Sequence, residues 1–514
     1  MPAIDDTITA WLEEYSSSTA DGAYLLCDRH PAHTVAFTFV GSDLKAEDLT
    51  YGEIAERSRR YSTALREMGV GRGDRVPIML GKRPELIVAL VALWRIGAVH
   101  VPLFTAFASG AVELRVDDSA AQLVITEAAH REKFSSLTEV KILDITELDT
   151  LAQTCAPDTS SVTIGGAGTF AQLYTSGTTG KPKAVPVPLR ALASFRSYLT
   201  FSLDVQESDV YWNAADPGWA YGLYYSIIAP LAAGQRSLMF EGGFTPESTL
   251  EVLRTFGVTN FTGAPTMYRA MRKSTADVKL TLRRASSAGE PLTPEVLDWA
   301  TRQLGCEVRD HYGQTEVGMV ICNHWHPELA RPTKQGSMGQ PLPGYTAGIV
   351  DDQIAIDVEH SPLMWFGGYH NAAAKTAARF TSNRAWYLTA DTGRVDADGD
   401  FFFSARDDDV ILAAGYRIGP FDVESVLVTH PSVVEVAVVG RADPDGIRGE
   451  VVEAFVVLDS TAVPDASLER ELQNLVRDKY SKHAYPRTVH FVESLPKTPS
   501  GKIQRFLLRN GSHD

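Results

Sequence analysis

Short apolar blocks alternate with longer segments whose apolar positions recur at helical spacing, and this alternation runs through most of the chain. Residues 75–80 read as a strand, residues 84–95 as a helix with proline in its first turn, and residues 98–103 as another strand. Upstream, Thr50 and Glu53 form a capping-box pair ahead of a helix that ends near Gly69 and Gly71. A polar helix around residues 110–117 leads to a strand at 122–126. Strands alternating with helices of this length imply βαβ units and a mostly parallel sheet. The most apolar run, residues 86–94, is broken by Arg95 and too short to cross a bilayer, so it predicts a buried helix.

A small, polar, Gly-rich loop over residues 158–168 leads into a strand ending near residue 173, and residues 190–199 begin a helix. The alternation then resumes. Strands are expected at 209–213, 236–240, 260–262, 284–287 and 307–311, with helices at 222–232, 249–256, 265–273 and 294–304. The last quarter changes character: a Gly399-Asp400 turn, a strand at 401–404, then the charged run Arg406-Asp407-Asp408-Asp409. Beyond it, helices at 423–429 and 468–478 and strands at 433–439, 450–458 and 488–493 form a small α+β unit. The expected class is therefore α/β, with a large domain over residues 1–407 and a smaller one over 408–514, the boundary falling at Asp408.

With 514 residues the chain has ample length for more than one buried core. Its 48 basic residues stand against 64 acidic ones, a formal net charge of −16. An acidic chain with no basic run argues against nucleic acid or an anionic membrane as partner. It leaves room for a polyanionic ligand only where cations cluster locally. Four well-separated cysteines without a C-x-x-C favour a reducing cytoplasm over a disulfide framework, and residues 1–15 lack a signal-peptide pattern.

Cations do cluster in Tyr174-Thr175-Ser176-Gly177-Thr178-Thr179-Gly180-Lys181-Pro182-Lys183. Glycines let backbone N–H groups approach an anion, and hydroxyls and lysines donate to phosphate oxygens. The glycine spacing differs from the Walker loop, so the stretch reads as a polyphosphate cradle of another type. Further stretches stand out in order along the chain. Ser287-Ala288-Gly289-Glu290-Pro291 is a glycine turn after a strand. Asp310-His311-Tyr312-Gly313-Gln314-Thr315-Glu316 gathers an aromatic ring, a hydroxyl and a carboxylate at a strand end, groups suited to a base, a phosphate and Mg²⁺. Tyr387–Gly393 presents Asp391, an acid suited to a sugar diol; Arg406 and Arg417 flank the charged run; Lys497–Arg505 places Lys502 on a glycine turn. By contrast, Cys322, His324 and His326 alternate like zinc ligands but lack a nearby fourth, and read as core or loop residues.

This ordered set, spread from about residue 50 to 509, resembles the adenylate-forming superfamily of acyl-CoA synthetases, nonribosomal-peptide adenylation domains and luciferases. The stretches Gly415-Tyr416-Arg417-Ile418-Gly419-Pro420, Arg448-Gly449-Glu450-Val451-Val452 and Lys497–Arg505 look most like the medium-chain and acetyl-CoA synthetase branch. The resemblance implies a large domain of parallel βαβ sheets with a small β-barrel-like part and a mobile C-terminal domain. It implies ATP, Mg²⁺ and CoA as cofactor and co-substrates and a small carboxylic acid as substrate, with no membrane span; a homo-oligomer stays open. The acid attacks the α-phosphate of ATP to give acyl-AMP, and the CoA thiol then displaces AMP.

The residue roles implied by the resemblance follow. Thr175, Ser176, Gly177, Thr178, Thr179, Gly180, Lys181 and Lys183 hold the β- and γ-phosphates. Gly289, Glu290, Pro291 and Tyr312 frame adenine, Thr315 contacts the α-phosphate and Glu316 binds Mg²⁺. Asp391 and Arg406 hold the ribose. Lys502 bridges carboxylate and α-phosphate, Asp408 is the hinge, Gly415 lies near the CoA channel and Arg448 touches CoA, while Arg417, beside the hinge, joins the cofactor-binding residues. Trp219, Ala220, Tyr221, Gly263 and Ala264 line the acyl pocket. Gly313 stands where acetate-specific relatives carry tryptophan, which predicts a pocket open to larger acids. Ala184, Ala390 and Ala405 replace usual glycines, and residues 350–369 lack the family's Gly-rich hairpin. Two alternatives stay open: an adenylate passed to a carrier protein or an amine, or formed on another oxyanion such as nitrite; and a non-catalytic nucleotide-binding protein of the same fold.

Overall fold

The computed structural model describes residues 3–175, 182–274, 279–290, 292, 294–406, 409–413, 416–443, 450–497, 503–509 and 511. Five parallel strands, Arg75–Met79, Val99–Pro102, Leu123–Thr126, Lys141–Asp144 and Thr169–Thr175, form most of a six-stranded sheet. The helix Pro84–Ile96 is buried from Leu86 onward. Arg95, which interrupts its apolar run, lies buried too, its guanidinium donating to both carboxylate oxygens of Asp28 (2.7 and 2.9 Å) and to Ser58 (3.2 Å). A bidentate partner is what makes a buried cation tolerable. The capping box is as expected: Thr50 Oγ1 accepts from the Glu53 N–H, and the Glu53 carboxylate accepts from the Thr50 N–H.

The sixth strand corrects the expectation around the cradle. Between Thr169–Thr175 and the helix Ala191–Ser197 lies Lys183–Pro188, antiparallel to the first, with Thr175 opposite Lys183. The strand Lys183–Pro188, which the sequence had left unassigned, thus lies between the cradle stretch and that helix.

The second sheet has thirteen strands. Its parallel section runs Val35–Val40, Ser237–Phe240, Tyr211–Asn213, Asn260–Gly263, Arg284–Ala288, Val308–Gln314, with Ala46–Thr50 antiparallel on the outer edge. Beyond Val308–Gln314 every pairing is antiparallel, through Gly318–Cys322, Ser337–Pro341, Phe401–Arg406, Trp386–Val395, Gln353–Asp357 and Ala347–Val350. The sheet is therefore mixed, and the part expected to be barrel-like continues it. Asp351 and Asp352, both at positive φ (49° and 63°), make the two-residue hairpin turn that the missing glycines had left unexpected.

Residues 411–491 hold a core of their own around Val423, Leu427, Val438, Val456, Leu472 and Val476. The strands Val433–Ala442, Glu450–Leu458 and Thr488–Phe491 form a three-stranded sheet there, with the helices Pro420–Leu427 and Ala466–Lys479 against it. Among the described residues, no helix is long and apolar enough to cross a membrane. The strands that end at Thr175, Asn213, Gly263, Ala288 and Gln314 all present their carboxyl ends to connecting loops, the usual place for a ligand in α/β sheets.

Candidate active site

Asp391 lies in the strand Trp386–Val395, buried, with Arg406 opposite it on the neighbouring strand. Two donors converge on its Oδ2: the Tyr312 hydroxyl at 2.5 Å and the Gln314 Nε2 at 2.6 Å. Gln314 is itself fixed, donating to the Thr389 carbonyl (2.8 Å) and accepting from the Tyr387 hydroxyl (2.9 Å). No hydrogen bond among the described residues reaches Oδ1. Burial pushes the Asp391 carboxyl above its ordinary range, against the pull of Tyr312 and Arg406. Ala390, just before it, takes a left-handed φ of 58°, whereas Ala184 and Ala405 sit in ordinary strand conformation. Of the three alanines in place of glycine, Ala390 alone carries strain.

Glu316 follows Gln314 and Thr315 at the end of Val308–Gln314 and is buried. The Tyr369 hydroxyl donates to its Oε1 at 2.7 Å, while Arg379 Nε (3.0 Å) and Lys183 Nζ (3.4 Å) donate to the Tyr369 oxygen. Lys183 also lies 4.8 Å from the Tyr369 ring centroid. Desolvation, then the Arg379 charge, lowers the Lys183 pKa. Tyr369 therefore links the cradle lysine to the candidate metal carboxylate, and Oε2 of Glu316 receives no bond among the described residues. A carboxylate held by one oxygen and open at the other fits Mg²⁺, which takes few protein ligands and keeps phosphates and waters.

Gly289 has φ 103° with open space where a Cβ would stand, so the turn needs glycine for its backbone. Glu290 pairs with Arg269 at 2.9 Å. Beneath the turn, the buried Asp310 carboxyl accepts from the N–H groups of Leu292 (3.3 Å) and His311 (3.2 Å). Burial raises it to about 8.

Trp219 packs against Phe104 and Phe107 at ring-centroid distances of 5.2 Å each. Together with Arg115, Tyr174, Ala220 and Thr315 it lines a cavity of about 20 Å³, room for one water. The Tyr224 hydroxyl donates to the Thr315 carbonyl at 3.0 Å, tying the Ala220–Gly222 turn and the residues after it to the end of Val308–Gln314. Gly263 ends its strand and Ala264 caps the helix Pro265–Lys273. The reading of Gly313 is corrected: a Cβ there would stand 2.2 Å from the Gly318 carbonyl oxygen and 2.6 Å from the Met319 Cα. The pairing shifts register between Tyr312 and Gly313, so the glycine is set by strand contact and by itself says nothing of pocket length.

Ser176, Gly177, Thr178, Thr179, Gly180, Lys181, Pro291, Asp408, Gly415, Arg448 and Lys502, and the side chain of Arg417, lie outside the described residues. Lys497 and Ile503, on either side of Lys502, form an isolated antiparallel bridge. His324 is bonded at both nitrogens, to Ser202 (3.0 Å) and the Pro341 carbonyl (3.3 Å), and Cys322 is a buried strand residue, as expected for core positions. Sequence reasoning assigned no role to Gln314, Asp310, Tyr369 or Arg379. The first two lay inside a stretch already singled out, and Tyr369 follows the Gly367-Gly368 pair. Arg379 carried no signal.

These groups belong to an adenylate-forming enzyme. Residues 26–362 match the AMP-binding enzyme family and residues 422–502 the AMP-binding enzyme C-terminal domain, so the chain belongs to that family. The acetyl-coenzyme A synthetase of Bacillus subtilis (strain 168) is 34% identical to it over 95% of this chain and 90% of its own length. The crystal structure of a Brucella canis acyl-CoA synthetase is 40% identical with a TM-score of 0.76, covering 98% of this chain and 96% of that one. A benzoate CoA ligase from Burkholderia xenovorans LB400 is 29% identical with a TM-score of 0.84, covering 95% of this chain and all of its own. The fold is that of these acyl-CoA synthetases.

Proposed function

We propose that this AMP-forming acyl-CoA synthetase, an ATP-dependent acid–thiol ligase acting through an acyl-AMP, activates a short- to medium-chain or small cyclic or aromatic carboxylic acid. The observation that carries the reading is the Asp391 cluster: a buried carboxylate held at one oxygen by Tyr312 and Gln314, its other oxygen receiving no hydrogen bond among the described residues. A vicinal diol, as in ribose, donates to such an oxygen, and Arg406 stands beside it. Tyr312, Gly289, Glu290 and Pro291 frame the adenine above Asp310. Thr175 to Lys183 grip the β- and γ-phosphates.

In the first step a carboxylate oxygen of the acid bonds to the α-phosphorus and pyrophosphate leaves. Charge crowds there, so positioned cations and N–H donors are the main catalytic resource. Thr315 and Lys502 contact the α-phosphate and Lys502 also the carboxylate; Glu316, oriented by Tyr369, holds Mg²⁺, which neutralises phosphate charge when bound. In the second step the CoA sulfur bonds to the acyl carbon and AMP leaves. Asp408 is the hinge between domains 1–407 and 408–514, flanked by Arg406 and Arg417, about which the smaller one turns to exchange Lys502 for a CoA channel near Gly415, with Arg448 at its side. Trp219, Ala220, Tyr221, Gly263 and Ala264 line the acyl pocket. The cytoplasm, with reduced cysteines and abundant CoA, suits this activity.

A panel of straight-chain and aromatic acids, scored for pyrophosphate exchange and for AMP release with and without CoA, tests the reading. Exchange with a subset of acids and CoA-dependent thioester formation are expected, and Lys502→Ala should stop the exchange while sparing thioester formation from supplied acyl-AMP. Exchange without any thioester would move the acceptor to a carrier thiol or an amine.

A further inference from the structure

Behind the acyl pocket runs a buried hydrogen-bond relay whose proton directions are fixed by its closed end. His311 Nε2 lies 3.0 Å from the Asn323 carbonyl oxygen, which only accepts, so Nε2 carries the proton. Burial lowers the His311 pKa to about 3, so the ring is neutral and Nδ1 is a bare acceptor. The Tyr198 hydroxyl, 2.7 Å from Nδ1, must spend its proton there. The Tyr198 and Tyr221 oxygens are 2.7 Å apart, and because Tyr198 has no proton left, Tyr221 donates. What remains to Tyr221 is its lone pairs.

The least buried member of this relay is Tyr221. His311 and Tyr198 are 2% and 0% exposed and Tyr225, whose ring packs 5.2 Å from that of Tyr221, is 1% exposed, whereas Tyr221 is only partly buried. It follows Ala220, which lines the cavity beside Thr315. His311 lies three residues before Gln314, about 10 Å along the strand from the end that carries Thr315 and Glu316. On the acyl-pocket reading, Tyr221 thus falls toward the end of the acid remote from Thr315.

We propose that the acid taken by this enzyme carries a hydrogen-bond donor, a hydroxyl or amino group, at the end remote from its carboxylate, and that Tyr221 accepts that bond. The inference rests on the acyl-pocket reading above and adds the chemistry of the substrate's distal group. Tyr198, which touches no substrate, acts as a positioning residue that fixes which way Tyr221 points its proton. A distal carbonyl, ether or nitro group meets lone pair against lone pair and is disfavoured.

Matched acids test this: benzoates bearing hydroxyl, amino, methyl or methoxy, and straight-chain acids with and without a terminal hydroxyl, compared by kcat/KM in pyrophosphate exchange. Donor-bearing acids should exceed their methyl isosteres by roughly five- to tenfold, the worth of one hydrogen bond. Tyr198→Phe frees the Tyr221 proton, so the preference should collapse or turn toward methoxy acids, a change that loosened packing alone would not produce. Should Tyr198→Phe fail to fold, Tyr221→Phe should erase the preference. Equal rates within every wild-type pair, or a preference kept in Tyr221→Phe, would overturn the inference while leaving the synthetase reading intact. No exchange with any acid would overturn that reading and this inference with it.

Discussion

Two groups of carboxylates share one strand and its turn, and they differ in what completes them. Asp391 is buried, and its two donors are neutral and fall on a single oxygen. Five residues later, Asp396, Asp398 and Asp400 surround Lys334 Nζ at 2.7, 2.6 and 2.8 Å. Among the described residues these three form the only carboxylate trio compact enough to suit a metal ion, yet the lysine already supplies the cation. A count of acidic side chains would choose the trio. Unsatisfied capacity singles out Asp391: the trio is matched by its lysine, whereas among the described residues no hydrogen bond reaches one Asp391 oxygen.

The contrast breaks most visibly at Asp391 itself. Asp391→Ala should lower kcat/KM for ATP in pyrophosphate exchange by about 10²- to 10³-fold, the usual cost of a removed preorganised contact, with the dependence on acid concentration little altered. Asp310 asks whether a third carboxyl behaves as site or scaffold. Its native pKa of about 8 exceeds the ordinary value near 3.9, so the folded state keeps a proton that the unfolded chain releases. Stability should fall as pH rises from about 4 to 8, by a slope approaching one proton, and Asp310→Asn should flatten that slope in urea unfolding.

A smaller effect is expected at Tyr369. Tyr369→Phe removes the bond to Glu316, worth about 1 kcal/mol, and should raise the Mg²⁺ concentration for half-maximal exchange about fivefold, with the unfolding midpoint little changed. The smallest belongs to the scaffold side. Lys334→Met should leave exchange unaltered. Because Lys334 holds the Asp396 carboxyl below the usual range, its stabilisation is present above the ordinary carboxylate pKa and lost as pH falls through the native one. The variant should therefore unfold in acid at a higher pH than the wild type, read by circular dichroism.

The parallel half of the molecule was legible because a parallel strand and its helix carry period and length together; residues 265–273 match the helix Pro265–Lys273 at both ends. The antiparallel half was less so. Strands such as Ala347–Val350 and Gln353–Asp357 are short, and their turn is made by two aspartates, which carry no unique turn signal. In the site, Tyr312, Glu316 and Asp391 could be singled out because their stretches are compositionally odd. Tyr369 and Arg379 could not, since what makes them matter is a meeting across 53 and 63 positions of chain with Glu316, and a single sequence records no such meeting. The relay through Tyr198 was hidden for the same reason.

The crowding at Gly313 bears on how this enzyme could change its diet. Any side chain there meets the Gly318 and Met319 backbone before it reaches an acid. A substitution at Gly313 therefore acts first on the backbone of the neighbouring strand. Backbone there has to shift to admit any side chain. At Gly313 the strand pairing itself excludes a side chain, whereas Ala220, on the wall of the small cavity, already carries one.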